Sequence, residues 1–469
     1  MNVINIILFG ILPFSFNIQF IIIVTGIIFF SSYCSRISSS RYIPYLLFFI
    51  IAFPSSAIGQ TGILVSSVYF SFATLVFFTH SLIYKNNTPV KINKIGLFLI
   101  FSMLFGSVIV YLPIPLETYL SMDFSGPEEA FVSNARQSHM LSFVVPFIFA
   151  PIAMFVTARS FSYNIDLFVI YGLIKKLIVI LLFLSMIRFM MNFDFISQAY
   201  SEVRFEGYRL TGFTMPDANG FARSLLFPLA FIASYIFAGV KNKQDFLILL
   251  LLLISIIMTM SRTAYVSSFV ILCVIFLYNF KLSNLVKVLT IPFIIFTIVY
   301  ISGLFDSVLL RIEGGANASL SGRGVIYGSV IQAIEHSPIV GLRPGGWMEY
   351  LAQGVTYERT SLKPQSTHSF YLETIINWGI PVFILFISSI IYSIFRSHQV
   401  IRLIKKNKSF YFVNLRIWLI VSNSLLIGLM VHGIVEIVPY HYFFFIIGLI
   451  NGISYIIKNN NLSHIIQPT

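Results

Sequence analysis

Long apolar runs separated by polar connections recur along the whole chain. Runs of about 17 to 25 apolar residues can each cross roughly 30 Å of hydrocarbon as a helix. The pattern predicts an all-α, polytopic integral membrane protein of about 13 to 14 transmembrane helices, forming a single membrane domain over 1–469. A shorter run at 3–14 leaves the side of the amino terminus open. The predicted spans are 16–33, 43–60, 62–84, 95–113, 139–157, 166–191, 220–239, 245–260, 262–280, 286–304, 369–395, 414–435 and 439–457.

Composition agrees with this pattern and excludes several classes of protein. The chain is 57% hydrophobic and 10% charged, whereas soluble domains average about 25% charged residues. Its two cysteines make a disulfide framework improbable, and no metal-ligand spacing is present. The net charge of +13 does not indicate nucleic acid, because no basic soluble module is present to hold it. Membrane topology has to explain the charge.

The basic residues differ between the two sides of the predicted membrane. Lysine is frequent in one set of connections, including the run 396–413, and the positive-inside rule makes this set cytoplasmic. The other set contains the long connections 114–138, 192–219 and 305–367, whose basic residues are nearly all arginine. Arginine binds phosphate through a planar fork of donors. The bias reflects either avoidance of lysine outside the cell or an external site for a phosphate-bearing substrate.

Two external arginines lie where a charge is costly without a partner. "MTMSRTAYVSS" (258–268) interrupts an apolar stretch too long for one span and places Arg262 at its outer turn. In the largest loop, "GRGVIYGSVIQAIEHSPIVGLRPGGW" predicts an amphipathic helix at the membrane surface that starts near Arg323. Its apolar face contains Ile326, Val330 and Ile334. Arg323 would add to the positive end of the helix dipole, an arrangement that suits a bound anion.

"STHSFYLETIINWGIPVFILF" (366–386) places a titratable group at the mouth of a predicted span. His368 follows the arginine-rich loop, heads a helix and is accompanied by Ser369 and Glu373. Glu373 lies about 140° away around the helix, so it is an imperfect orienting partner. His368 is the candidate general base, and Asp217 and Glu373 are the alternatives.

Four segments together resemble the superfamily of O-antigen ligases and Wzy-type O-antigen polymerases, which are bacterial envelope glycosyltransferases. They are "GYRLTGFTMPDANGFA" (207–222), "SRTAY" (261–265), the loop-helix segment (322–347) and "HSFYLETIINWGIP" (368–381). The resemblance implies a GT-C-like, metal-independent transferase that needs no cofactor. Its substrate would be an oligosaccharide on undecaprenyl diphosphate. By this resemblance Arg262 and Arg323 hold the diphosphate, and His368 is the base.

Two details of the motifs favour a polymerase. The sequence resembles the ligase motif at Gly379, but Val382 occupies a position where ligases have Gly, Thr or Tyr. Wzy polymerases carry, in each of two external loops, an arginine and then a glycine after ten intervening residues. "RLTGFTMPDANG" (Arg209 to Gly220) and "RIEGGANASLSG" (Arg311 to Gly322) resemble this pattern. These residues, with Ser369, Glu373 and Asp217, are the candidate substrate-binding set.

Two rival functions remain open at this point. A ligase would move finished polysaccharide to lipid A core. A flippase for lipid-linked oligosaccharide would be expected to have two related halves and short external loops, neither of which is evident. We expect a multi-pass protein of the bacterial inner membrane with its site facing the periplasm. Its partners would be the lipid-linked oligosaccharide, membrane lipid and a polysaccharide chain-length regulator, without nucleic acid.

Overall fold

The computed structural model describes the carboxyl-terminal half of the chain most fully. Every regular element in the described residues is a helix, which confirms the predicted all-α class. The predicted spans between 3 and 157, of which only isolated positions are described, and the span 286–304 are outside this part of the chain. The described residues are 43, 47, 50, 51, 157–158, 167–191, 209–212, 218–240, 243–280, 326–328, 330–335, 337–342, 367–407 and 409–465.

Long helices account for most of these residues. In chain order they are α1 (Leu167–Met191), α2 (Ala218–Ala238), α3 (Lys243–Met258), α4 (Arg262–Tyr278), α5 (Phe370–Ile404), α6 (Phe410–His432) and α7 (Tyr440–Ile465). Within the described ranges, α1, α2, α5, α6 and α7 are long and apolar enough to cross a membrane, and α4 is a shorter apolar helix. The chain is therefore a multi-pass membrane protein.

The helices match predicted spans in order but not always in length. Helices α3 and α4 meet at the predicted interruption, because α3 ends at Met258 and α4 begins at Arg262. Helix α5 continues to Ile404, past the predicted end at 395, so Arg396 and Arg402 lie on the helix and not in a connection. Basic side chains are good helix formers, so a helix can continue beyond its apolar segment into water.

Helices α2, α6 and α7 form the interior of the described bundle, and α1 and α5 lie at its outside. Nearly all of α2 is buried, whereas most of α5 faces outward. The inner helices are joined by edge-to-face aromatic pairs, including Phe231 with Trp418 at 4.8 Å and Phe227 with Tyr442 at 5.2 Å between ring centroids. At Gly428 of α6, an added Cβ would lie 2.4 Å from Cγ1 of Ile271, so glycine allows α4 to pack closely.

Polar contacts at the two ends of the bundle fix which parts of the helices meet. At one end, the Lys175 ammonium of α1 lies 2.9 Å from Oδ1 of Asp245 at the start of α3. At the other, Phe370 N at the start of α5 donates to Gly433 O after α6, at 2.9 Å. We call this second end, which includes the residues around the start of α5, the His368 end. The predicted candidate residues that the structure describes all belong to it.

A short amphipathic helix packs on α5 near the His368 end. Its helical residues are 326–328 and 330–335, called here the loop helix. Ile326 and Val330 are buried against Ile376 of α5, as is Ala333, while Ile331 on the opposite face is about half exposed. The predicted apolar face is confirmed. This face packs against α5. The predicted position of the helix at the membrane surface stays a prediction.

The loop helix is joined to α5 through a kink. In a regular helix Ile380 N would donate to Ile376 O. Gly379 has φ 78° and Pro381 lies two residues later, so the helix kinks here and this hydrogen bond is absent. Ile380 N instead donates to Pro338 O at 2.8 Å, and Ile376 O accepts from Leu342 N at 2.6 Å. The turn at 337–342 therefore satisfies both backbone groups that the kink exposes.

Glycine is required on both sides of this junction. Gly341 has φ 75° and Gly379 has φ 78°, and residues other than glycine rarely adopt such positive values. A Cβ at Gly379 would lie 2.0 Å from the carbonyl oxygen of Ile339, and one at Gly341 would lie 2.7 Å from the backbone nitrogens of Trp378 and Gly379. The junction fixes the position of the loop helix relative to the helix headed by His368.

Candidate functional site

His368 lies in a tight turn immediately before α5. Its φ of 53° is uncommon for a residue other than glycine, and such conformations concentrate at functional sites. Ser369, the residue that caps α5, is buried and extended. Its backbone N–H donates to Oγ1 of Thr367 at 3.4 Å, across the turn. The imidazole is thus carried on a backbone whose two neighbouring residues are fixed.

Glu373 holds this turn from inside the protein. Its Oε2 accepts from the Thr367 hydroxyl at 2.7 Å, and its Oε1 accepts from Nδ2 of Asn377 at 3.2 Å. The side chain is buried. The carboxyl group therefore contacts the turn through Thr367, a residue that the sequence motifs did not single out. Substrate binding by Glu373 and Ser369 stays a prediction.

Arg262 begins α4 at the same end of the bundle. Its side chain is exposed, and the preceding Ser261 makes no side-chain cap to the helix. Met260 in the α3–α4 turn has φ 51°, and the hydroxyl of Tyr265 donates to Ile257 O at 2.7 Å, which braces the turn. A guanidinium at the amino-terminal end of a helix favours an anion at this position.

Arg209 begins a chain of hydrogen bonds across the His368 end. Its Nε donates to Thr259 O in the α3–α4 turn at 2.8 Å, and its Nη2 donates to Oδ1 of Asn219 at 2.6 Å. Nδ2 of Asn219 in turn donates to Oε1 of Glu436 at 3.2 Å. Arg209 thus joins the start of α2 to the turn before Arg262. Two nitrogens of its guanidinium, Nε and Nη2, therefore donate to other groups of the protein.

The connection between α6 and α7 brings these parts together. It contains Gly433, which accepts from the first residue of α5, and Glu436, which accepts from Asn219. The turn around His368, the start of α2 and the α3–α4 turn consequently share one connected end of the bundle. Neither Asn219 nor Glu436 was predicted as a site residue. Asn219 lies in the quoted "MPDANG" segment, whereas Glu436 is in no motif.

Behind this layer lies a buried basic group. Arg223 of α2 is 7% exposed, donates to Ile437 O and lies with its guanidinium carbon 6.0 Å from the ring centroid of Tyr442. His432 is fully buried, with Nδ1 3.5 Å from Oγ of Ser267. These contacts attach the α6–α7 connection to α2 and α4.

The remaining predicted site residues are Gly220 and four residues that the structure does not describe. Gly220 is buried in the first turn of α2. Among the described residues, no group of three or more His, Cys, Asp or Glu side chains could hold a metal ion. The expectation of a metal-free reaction stays a prediction. Four of the predicted site residues are outside the described residues: Asp217, Arg311, Gly322 and Arg323.

Part of the sequence that forms this site matches a known family. Residues 247–387 match the model of the family described as O-antigen ligase. This part of the chain is therefore similar to the O-antigen ligase family. The match is consistent with the wider superfamily of O-antigen ligases and polymerases, and it supports an enzyme of the glycosyltransferase type in polysaccharide assembly. No curated protein matches the chain.

The matched residues contain only part of the connected end. They include most of α3, Arg262, the loop helix, and the beginning of α5 with its kink at Gly379. Arg209 and Asn219 precede the matched residues, and Glu436 follows them. Helices α6 and α7, which support the turn around His368, are likewise beyond the match.

Proposed function

We propose that the protein is a Wzy-type O-antigen polymerase that joins undecaprenyl-diphosphate-linked repeat units. The observation that carries the proposal is the connected His368 end. The first residue of α5, next to the strained turn that bears the imidazole, is hydrogen-bonded to the α6–α7 connection. Asn219 and Arg209 link the same connection to the start of α2 and to the turn before Arg262. The two arginine-to-glycine segments and Val382 favour a polymerase over a ligase. The domain match supports the chemistry that both share.

The reaction needs few groups from the protein. An acceptor hydroxyl attacks C1 of the donor sugar, the bond from C1 to the diphosphate oxygen breaks, and the hydroxyl proton passes to His368. Arginines neutralise the charge that develops on the departing diphosphate. In this proposal Arg262 and Arg323 bind the diphosphate, with help from Arg209 and Arg311. No metal or cofactor takes part.

The proposed cellular setting follows from the substrate. We expect the protein in the bacterial inner membrane, with the His368 end facing the periplasm and the donor lipid lying between helices. A ligase would use the same donor but deliver the sugar chain to lipid A core. A flippase would move the donor without breaking the C1–oxygen bond, and it would tolerate loss of His368.

One experiment separates these functions. Purified protein receives tagged lipid-linked repeat units, first alone and then together with lipid A core. A polymerase produces longer lipid-linked chains in both reactions and leaves lipid A core untagged. Tagged lipid A core without longer lipid-linked chains would indicate a ligase, and the absence of any new glycosidic bond would indicate a flippase.

A further inference from the structure

A carboxyl group without an assigned role lies among the arginines of the His368 end. Glu436 is in the connection between α6 and α7 and is partly exposed. It follows Gly433, the residue that accepts from the backbone at the start of α5. Glu436 therefore borders the segment that carries His368 while keeping part of its side chain accessible.

The side chain of Glu436 is held in a defined direction. The amide of Asn219 donates to Oε1 of Glu436 and accepts from Nη2 of Arg209. Nε of the same arginine donates to the backbone oxygen of Thr259. The amide orientation is unambiguous, because a guanidinium only donates. A surface glutamate that serves only solubility needs no such chain of hydrogen-bond partners.

Other described carboxyl groups at this end have different surroundings. Glu373 is buried and occupied by Thr367 and Asn377. Glu335 is exposed on the loop helix, on the side away from the packed face. Glu436 combines a fixed position with partial exposure, in the connection that accepts from the first residue of α5.

The charge of Glu436 indicates which part of the substrate it meets. A carboxylate repels a diphosphate, so it is poorly suited to the donor's leaving group. Carboxylate oxygens accept strong hydrogen bonds from hydroxyl groups. We propose that Glu436 binds hydroxyls of the acceptor sugar and turns the attacking hydroxyl toward His368. This inference rests on the proposed polymerase function.

The test separates acceptor binding from donor binding. The acceptor is the repeat-unit oligosaccharide on a simple alkyl chain, which lacks a diphosphate and cannot serve as donor. It is titrated at saturating lipid-linked donor, and donor binding is measured separately. For Glu436→Gln we expect the half-saturating acceptor concentration to rise about ten- to a hundredfold, the worth of a hydrogen bond to a charged group. Donor binding and the maximal rate should change less than about threefold.

Two further variants make the result specific. Glu436→Asp keeps the carboxylate and should recover part of the acceptor affinity. Glu335→Gln makes the same chemical change on the loop helix and should leave all three quantities unaltered. Unchanged acceptor saturation in Glu436→Gln would overturn the inference, as would equal losses of donor and acceptor binding without recovery by Glu436→Asp. If the wild-type protein joins no lipid-linked repeat units, the proposed function itself fails.

Discussion

At the residue scale, Thr367 connects the buried Glu373 to the turn around His368. Its hydroxyl donates to the carboxyl group and its oxygen accepts from Ser369 N, so one side chain fixes both sides of the turn. Thr367→Val should lower the free energy of unfolding by about 1 to 3 kcal/mol, because it leaves a buried polar group without its partner. It should also slow transfer while donor affinity is retained.

Thermal unfolding in detergent and the transfer rate would be measured for this variant. Thr367→Ser restores the hydroxyl and should recover most of both quantities. If Thr367→Val unfolds and reacts like the wild type, the hydrogen bond to Glu373 does not position His368.

Arg262 requires a second prediction at this scale. Lysine would keep the charge at the start of α4 but lose the fork that binds two phosphate oxygens. Losing one charge-assisted hydrogen bond, worth about 1.5 to 3 kcal/mol, should lower donor affinity roughly ten- to a hundredfold in Arg262→Lys.

Binding of the lipid-linked donor to the purified variant is the measurement. Arg396→Lys, near the opposite end of the bundle on α5, is the matched control and should bind donor normally. Normal donor binding by Arg262→Lys would show that Arg262 is placed there for structural reasons only.

At the element scale, the junction between the 337–342 turn and the kink in α5 sets the relation between the loop helix and His368. Alanine variants of three glycines separate the cost of a positive φ from the cost of a steric clash. Gly328 has open space around its Cβ position, Gly239 has φ 86° with open space, and Gly379 has both a positive φ and a backbone obstruction. Each alanine variant therefore adds one cost to the previous one.

Alanine should be tolerated at Gly328 and should stabilise the loop helix slightly. Gly239→Ala should cost about 1 to 2 kcal/mol, the penalty of the left-handed conformation alone. Gly379→Ala should cost clearly more and should also abolish most of the activity, because Ile339 must move with its turn. Thermal unfolding of the three variants checks the order, and a Gly379→Ala protein as stable as Gly239→Ala would contradict the junction.

Sequence patterns predicted the elements of this region better than their contacts. The polar interruption at Arg262 fixed the end of α3 and the start of α4, and Pro381 with Gly379 marks a place where a helix would bend. Nothing local relates residue 341 to residue 379, or Asn219 to Glu436, because those pairs meet only after the bundle has packed. Glu436 was missed for that reason, although its position in the connection before the last span was a usable signal.

At the scale of the whole molecule, the proposed reaction requires the His368 end to face the periplasm. The lysine distribution predicts this orientation by the positive-inside rule. Single cysteines at Val340 and Lys406, both exposed, would be introduced in a protein lacking Cys34 and Cys273. An impermeant thiol reagent applied from the periplasm should label position 340 and not 406. The opposite labelling would invert the topology and remove the site from its substrate.

The central claim is that the imidazole at the head of α5 accepts the acceptor's proton during glycosyl transfer. The most direct measurement is the transfer rate of purified His368→Ala on a defined lipid-linked repeat unit, with donor binding followed in parallel. His398→Ala, near the other end of α5, is the control and should react normally. His368→Ala should transfer at a rate lowered by about 10² to 10⁴ and should retain donor binding. A His368→Ala protein that binds donor and transfers at the wild-type rate would contradict this claim.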